Sequence, residues 1–172
     1  GRQAVSLIEE IGADNIVVGD LSGTAVKQVN LDLSAVAGGG QGDGAADSVV
    51  VNGTQGGDAI TVASSGAAVV VNGLAEKVTL TGSEGADDTL TVNGQGGDDT
   101  INASGLNAGQ VKLTINGGLG IDTINGSKGD DLVTGGDGDD TARLGLGNDT
   151  FVWNPGDDND TVDVTKLLEL TE

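Results

Sequence analysis

Residues 117–152 consist of four consecutive nine-residue blocks that share one pattern. The blocks read GGLGIDTIN, GSKGDDLVT, GGDGDDTAR and LGLGNDTFV. Their fourth residue is always Gly, their sixth is always Asp, and their eighth is always apolar. Four copies in one phase carry far more information than a single copy, so this repeat constrains the fold more than any other feature of the chain.

Each column of the repeat has a physical reason. Glycine permits positive φ and a close approach of two backbones, so carbonyl oxygens can turn toward a common point. The sixth-column Asp places a short carboxylate where the turn ends, and the eighth-column residue can face a shared core. Each block therefore predicts six residues of tight turn followed by three residues of strand.

The composition agrees with thin strands joined by glycine turns. The chain has 32 Gly but only one Pro, which excludes collagen and proline-rich linkers. Phe151 and Trp153 are its only aromatic residues, so a compact core of large side chains is not expected. The remaining apolar residues, with Thr, are those that favour strands.

The charge of −20, from 27 acidic and 7 basic residues, limits the partners of the chain. Nucleic acid is not an expected partner, because binding it requires basic residues that neutralise phosphates. Such self-repulsion also opposes compaction unless a cation offsets it. Disorder is the alternative for an acidic, aromatic-poor chain. The regular apolar column argues against disorder when a cation is present.

Several functions are excluded by missing residues. Without Cys there is no disulfide framework or zinc–thiolate site, and without His, Cys or Tyr there is no catalytic triad or His-based acid–base pair. We therefore expect no enzymatic activity. No apolar run reaches 18 residues, so we expect no membrane insertion. The start, GRQAVSLIEE, lacks the apolar core of a signal peptide and is expected to belong to a fragment of a longer protein.

Strand-like runs recur along the whole chain. Three are expected in residues 4–33, although Ser6 and Glu9 mimic a helix capping box and leave a helix over 4–11 as an alternative. Residues 34–46 are a loop by composition. Further runs are 48–51, 59–62, 68–71, 77–80, 89–92, 100–102, 111–115, 123–125, 132–134, 141–143, 150–152 and 161–164. Their spacing is too short for βαβ crossovers and suits a solenoid with two strands per turn.

Looser copies of the nonapeptide flank the regular block. GTQGGDAIT (53–61) and GQGGDDTIN (94–102) keep the Gly, Asp and apolar columns, GSEGADDTLT (82–91) needs one extra residue, and PGDDNDTVD (155–163) keeps only Asp160 and Val162. The pattern resembles the nonapeptide G-G-x-G-x-D-x-U-x of RTX (repeats-in-toxin) calcium-binding proteins, in which U is a large apolar residue. An EF-hand does not fit, because the twelfth residue counted from Asp137 is Asn148 instead of Glu.

The resemblance implies an all-β fold, a parallel β-roll or β-solenoid with two short strands per turn and Gly/Asp-rich calcium-binding loops. Calcium takes 6–8 oxygen ligands, which two stacked turns can supply and one turn cannot. The implied ligands are sixth-column carboxylates and loop carbonyl oxygens, from Asp99, Asp122, Asp131, Asp140, Asp149, Asp160, Gly118, Gly120, Ser127, Gly129, Gly136, Gly138, Gly145 and Gly147.

Stacking by one full turn pairs each loop with the second repeat along. This places Asp99, Asp122, Asp140 and Asp160 on one edge, and Asp88, Asp131 and Asp149 on the other. Segment 102–110 is expected to interrupt the second edge before Asp131, and segment 72–77 to separate Asp58 from Asp99 on the first. We therefore expect several calcium ions, mostly in the C-terminal half. The N-terminal half is expected to be held by its apolar column and by Asn and Thr ladders.

These inferences divide the chain into four segments: 1–35 (N-terminal strands, first coils or cap), 36–116 (irregular coils with degenerate repeats), 117–164 (regular β-roll) and 165–172 (tail). The expected role is a calcium-binding segment of a secreted or cell-surface bacterial protein, which folds on binding calcium and is an export-compatible scaffold. Type I export is what the resemblance implies. The alternatives are an adhesin or surface-layer module that meets glycans or copies of itself, and a non-catalytic module appended to a secreted enzyme.

Overall fold

A computed structural model describes residues 3–8 and 12–164 of the chain, and within these residues all regular structure is β. The fifteen strands are β1 Gln3–Ile8, β2 Asn15–Val18, β3 Val26–Asp32, β4 Ser48–Asn52, β5 Ala59–Ser65, β6 Ala68–Asn72, β7 Lys77–Thr81, β8 Thr89–Gly96, β9 Thr100–Gly105, β10 Lys112–Leu119, β11 Thr123–Asn125, β12 Asp131–Asp137, β13 Thr141–Arg143, β14 Thr150–Val152 and β15 Thr161–Asp163.

Every predicted strand is confirmed within the described residues. The helical alternative for 4–11 is wrong over residues 4–8, which belong to β1, and its residues 9–11 lie outside the described residues. The predicted tail, 165–172, also lies outside them. No helix in the described part of the chain is long and apolar enough to cross a membrane.

The strands form two sheets. The nine-stranded sheet has the order β1-β3-β7-β6-β5-β9-β11-β13-β15, and the six-stranded sheet has the order β14-β12-β10-β8-β4-β2. From β8 onward the chain alternates between the sheets, and each strand pairs in parallel with the next strand of its own sheet. Thr123 pairs with Thr141 and Ile115 with Val133, so each of these partners is 18 residues further along the chain.

One apolar cluster joins the two sheets. It includes Ile124 of the nine-stranded sheet and Val133 of the six-stranded sheet, both 0% exposed. The eighth-column residues supply this cluster because alternate side chains of a strand point to one face. The expected Asn ladder is also present, since Asn116 donates to Asn93 (2.6 Å) and Asn93 donates to Asn52 (2.8 Å) through side-chain amides.

The prediction that all strands pair in parallel is wrong for one strand, β6. β6 pairs antiparallel with both β5 and β7, so three successive strands lie in the nine-stranded sheet instead of alternating. A two-residue turn at Gly66 and Ala67 causes this reversal, and Gly66 adopts the positive φ of 64° that such turns require. Because β6 and β7 extend to one side, β5 is free to pair directly with β9.

Candidate metal centre

The sixth-column Asp residues form hydrogen-bonded ladders that run across the starts of neighbouring strands. In each rung, the backbone amide of one Asp donates to Oδ1 of the stacked Asp further along the chain. The long ladder contains Asp58, Asp99, Asp122, Asp140 and Asp160, with N–O distances of 2.6, 2.8, 2.8 and 3.1 Å in that order. The short ladder is the single rung from Asp131 to Asp149, at 3.1 Å.

These rungs join the residues that stacking by one turn predicts. The pairs Asp99/Asp122, Asp122/Asp140 and Asp140/Asp160 adjoin, as does Asp131/Asp149. The expected separation of Asp58 from Asp99 by segment 72–77 is wrong. That segment joins β6 to β7, which lie on the side of β5 away from β9, and the Asp58 amide donates directly to Asp99.

A further ladder was missed from the sequence. Its members are Asp14, Asp47 and Asp88, joined by the same amide-to-Oδ1 bonds at 2.9 and 3.0 Å. The available signal was an Asp two residues before a buried strand residue, as in Asp47-Ser48-Val49. This N-terminal ladder does not continue into the short ladder, because the register places Leu113 of β10 opposite Asp131.

Four carboxylates of the long ladder each have one oxygen without a partner. Oδ2 of Asp99, Asp122, Asp140 and Asp160 is buried and receives no hydrogen bond. The side chains of Asp99, Asp122 and Asp140 are 1%, 0% and 1% exposed. A buried charged oxygen without a partner is strongly destabilising, so this arrangement requires a compensating cation or a proton.

Carbonyl oxygens converge on the same places. A Cβ on Gly117 would overlap both Asp122 Oδ2 and the Gly135 carbonyl oxygen, and a Cβ on Gly94 would overlap both Asp99 Oδ2 and the Gly117 carbonyl oxygen. At each of these first-column glycines, Oδ2 of a sixth-column Asp meets a carbonyl oxygen of the next stacked loop, and we call this arrangement an oxygen cradle. Carboxylate and carbonyl oxygens are the ligands that Ca²⁺ prefers, so these cradles fit calcium.

The other loop glycines keep the stacked backbones close. Gly118, Gly120, Gly136, Gly138, Gly145 and Gly147 all have positive φ. The carbonyls of Gly118, Gly120, Ser127 and Gly129 face the glycines of the next stacked loop, where a Cβ on Gly136, Gly138, Gly145 or Gly147 respectively would overlap them. The structure therefore aligns these carbonyls along the stacking direction, and the Ser127 carbonyl also accepts the Leu146 amide at 3.2 Å.

Not every cradle leaves its carboxylate unpaired. Asp131 Oδ2 accepts the Ser127 amide at 2.5 Å, and Asp131 Oδ1 accepts the Ser127 hydroxyl at 2.7 Å. Asp58 Oδ2 accepts the Thr54 amide at 2.6 Å. We call these loops closed, because the amide of their second-column residue donates a hydrogen bond to Oδ2. We call the long-ladder loops of Asp99, Asp122 and Asp140 open, because this hydrogen bond is missing there.

Burial shifts the pKa of the ladder carboxyls upward. Burial raises the pKa of Asp122 to about 6, an effect that the Asp99 amide partly offsets and the charge of Asp140 reinforces. Burial likewise raises the pKa of Asp131 to about 6 against the hydrogen bonds from Ser127. The pKa values of Asp99 and Asp140 are also raised by burial. Each shift disfavours the ionised carboxylate in the absence of a cation.

Carboxylates alone do not make a metal site in the described part of the chain, where no three acidic side chains converge on one point. A cation in a cradle would therefore need backbone carbonyl oxygens as well as the two carboxylates of a rung. This ligand type again suits calcium, which mixes carboxylates with carbonyls.

Comparison with known proteins identifies the repeats. Residues 91–107 and 116–151 match the family profile of the RTX calcium-binding nonapeptide repeat, in 4 copies. No curated protein and no solved structure matches the chain significantly. The matched segments include Asp99, Asp122, Asp131, Asp140 and Asp149, whereas Asp58 and Asp160 lie outside them. Residues 91–107 and 116–151 are therefore similar to RTX calcium-binding nonapeptide repeats, and this similarity supports a calcium-binding structural module.

Proposed function

We propose that the chain is a β-roll, a β-solenoid with two strands per turn, which folds when calcium fills the oxygen cradles of its ladders. Its role is a scaffold within a secreted or cell-surface bacterial protein. The observation that carries the proposal is the set of four buried Oδ2 atoms without hydrogen-bond partners, at Asp99, Asp122, Asp140 and Asp160.

The proposed calcium ligands come from stacked pairs of loops. From Asp99 onward, each pair of the long ladder contributes the carboxylates of one rung, such as Asp122/Asp140, together with carbonyl oxygens of the two loops. The cradle at Gly117, with Asp122 Oδ2 and the Gly135 carbonyl, is the clearest support for this assignment. Asp131 and Asp149 are the corresponding pair of the short ladder.

Coupling of folding to calcium follows from the charge. The chain carries a net charge of −20, and its fold buries carboxylates whose pKa is raised toward the protonated form. A ligand that binds the folded chain and not the unfolded chain stabilises the fold by mass action. Calcium in the cradles offsets the carboxylate charge, so its binding free energy becomes folding free energy.

The solenoid part of the proposal rests on the pairing pattern. The stacked partners from β10 to β14 are separated by 18 residues, which is two nonapeptides, and the chain alternates between two sheets around one core. The antiparallel β5–β6–β7 unit is then a side excursion from the solenoid and not a change of architecture.

Export is the setting in which such coupling is useful. A chain that stays unfolded at low cytosolic calcium can pass a type I export apparatus, which is then a transient partner, and fold where calcium is abundant. The resemblance to RTX proteins and the absence of Cys support this setting.

Calcium titration followed by circular dichroism tests the proposal. We expect a weak β signal in chelator, a cooperative gain of β signal on adding calcium, and reversal by renewed chelation. Magnesium at the same ionic strength is the control, because Mg²⁺ demands a stricter octahedral geometry and dehydrates reluctantly. A chain that is equally β-rich and equally resistant to urea with and without calcium would overturn calcium-dependent folding.

A further inference from the structure

Ser127 distinguishes the short ladder from the long one. Its amide donates to Asp131 Oδ2 at 2.5 Å, and its hydroxyl donates to Asp131 Oδ1 at 2.7 Å. Both oxygens of this carboxylate, which is 4% exposed, are therefore hydrogen-bonded by one residue. In the long ladder the corresponding Oδ2 atoms of Asp99, Asp122 and Asp140 have no partner.

The oxygen cradle itself is the same on both edges. A Cβ on Gly126 would overlap the Leu144 carbonyl oxygen and lie 2.8 Å from Asp131 Oδ2. At Gly117 the equivalent Cβ would overlap the Gly135 carbonyl and Asp122 Oδ2. The difference between the two edges therefore lies in whether the carboxylate already has a donor and not in the placement of the oxygens.

The open and closed loops differ in the backbone φ of the second-column residue, which is positive in the open loops and not in the closed ones. In the open loops this residue is Gly118, Gly136 or Gln95, with φ of 120°, 113° and 81°. In the closed loops it is Ser127, Thr54 or Glu84, and its amide donates to Oδ2 of the Asp four residues later. L-residues other than glycine disfavour positive φ, so a side chain at this column favours the conformation in which the amide turns toward the carboxylate. Gln95 is the exception, since it adopts positive φ in an open loop.

We infer that calcium binds this chain in two classes, a tight class in the open cradles of the long ladder and a weaker class at Asp131, where Ser127 competes with the metal for the carboxylate. This inference rests on the proposed function. Calcium at Asp131 must displace donors that an open loop lacks. Each hydrogen bond to a charged group changes an equilibrium by about tenfold or more, so we expect the Asp131 cradle to be at least about tenfold weaker.

Calcium binding by calorimetry and equilibrium dialysis tests this inference with four variants. Ser127→Gly gives the loop the Gly-Gly-x-Gly-x-Asp form of the open loops at 117–122 and 135–140. It should raise the affinity of the weaker class about tenfold and leave the tight class unchanged. Ser104→Gly, at an exposed residue of β9, is the matched control and should change neither class. Asp131→Asn should abolish the weaker class alone, whereas Asp122→Asn should reduce the tight class.

The outcomes separate this inference from the proposed function. A wild-type chain that binds no calcium would defeat the proposed function itself. A wild-type chain that binds calcium in a single class, with Ser127→Gly folded and unchanged in affinity, would overturn only the role of Ser127. If Ser127→Gly fails to fold, Asp131→Asn decides the question. Loss of the weaker class with retention of all tight sites supports the inference, whereas loss of tight sites or retention of the weaker class contradicts it.

Discussion

The amide of Asp122 donates to Oδ1 of Asp140 at 2.8 Å across 18 residues of sequence, while Oδ2 of each of these carboxylates is buried and has no hydrogen-bond partner. One oxygen of each side chain therefore accepts a hydrogen bond within the stack, and under the proposed function the other binds calcium. We therefore expect the effect of a substitution at these residues to depend on whether calcium is present.

The effect of Asp122→Asn on the free energy of unfolding should have opposite signs in chelator and in calcium. An Asn can keep Oδ1 as the acceptor of the Asp99 amide and direct its Nδ2 at the Gly135 carbonyl, which lies on the same side as the unpaired Oδ2. In chelator we expect the variant to be about 1–2 kcal/mol more stable than the wild type, and in saturating calcium less stable. Urea unfolding in the two buffers measures both values, and equal shifts of one sign would contradict the cradle assignment.

Asp140→Ala should cost more bound calcium than Asp58→Ala. Asp140 belongs to two rungs of the long ladder and has an unpaired Oδ2, whereas Asp58 Oδ2 already accepts the Thr54 amide. Equilibrium dialysis at saturating calcium gives the number of ions bound by each variant. Equal losses from the two substitutions would refute this difference between open and closed loops.

Without calcium, stability should rise as the solution becomes acidic. Burial raises the pKa of Asp122 and of Asp131 from 3.8 to about 6, so the folded chain binds these protons more tightly than the unfolded chain does. Their contribution is fully present below pH 3.8 and is lost as the pH rises through about 6. We expect the chelated chain to gain on the order of 1–2 kcal/mol between about pH 7.5 and about pH 5.

Calcium affinity should move in the opposite direction over the same pH range, because protons and calcium compete for these carboxylates. Urea unfolding in chelator measures the stability, and calorimetry measures the calcium affinity, both between about pH 7.5 and about pH 5. A chelated chain that loses stability steadily on acidification would contradict the raised pKa values.

Gly117→Ala should destabilise the fold even though alanine is a small residue. Its Cβ would overlap Asp122 Oδ2 and the Gly135 carbonyl oxygen, so the loops must move apart at an expected cost of about 1–3 kcal/mol. Gly56→Ala is the matched control, because there a Cβ would meet only Thr54 Oγ1, at 4.0 Å, and φ is not positive. Thermal unfolding in calcium compares the two, and a similar small effect from both would rule out close packing at Gly117.

At Gln95, the glycine variant should be more stable than the alanine variant, which reverses the usual order. It is the one non-glycine residue with positive φ in the described part of the chain, at 81°, and it occupies the second column of an open loop. Alanine is normally better than glycine within a strand by about 0.5–1 kcal/mol, but in this region of φ an L-residue costs about 1–2 kcal/mol. We therefore expect Gln95→Gly to be more stable than Gln95→Ala.

The control for this comparison is Thr91, which lies on the same strand, β8, without a positive φ. There the alanine variant should be the more stable of the two. Urea unfolding of the four variants in calcium checks both orders. If the alanine variant is the more stable at both positions, Gln95 is not held in a strained conformation.

The strands were predictable because their signal is local. Alternation of buried and exposed residues, with Gly- and Asp-rich punctuation, places β11 and β13 at their observed bounds from the sequence alone. The orientation of β6 was not predictable from alternation, since AVVV reads the same in a parallel and in an antiparallel strand. Its signal lies in the two-residue turn at Gly66 and Ala67, which becomes visible only if β5 is extended to Ser65.

The pairs of stacked Asp residues were likewise predictable, but the state of each carboxylate was not. The nonapeptide columns treat Asp122 and Asp131 as equivalent, because both are the sixth residue of a matching block. Their hydrogen bonds differ because the second residue is Gly118 in one block and Ser127 in the other. A non-glycine residue in that column is not a sufficient signal, because Gln95 occupies it in an open loop. The state depends on a backbone conformation that sequence periodicity does not report.

The ladders have a direction, since every amide donor belongs to the earlier coil and every carboxylate acceptor to the later one. Loss of the Asp140 side chain therefore strips the acceptor from the Asp122 amide, whereas the Asp140 amide still reaches Asp160. Each lost Asp side chain therefore affects the stacked loop on its N-terminal side and not the one on its C-terminal side. Loss of the Asp160 side chain thus frees the Asp140 amide of the preceding loop, while loss of the Asp58 side chain leaves every later rung intact.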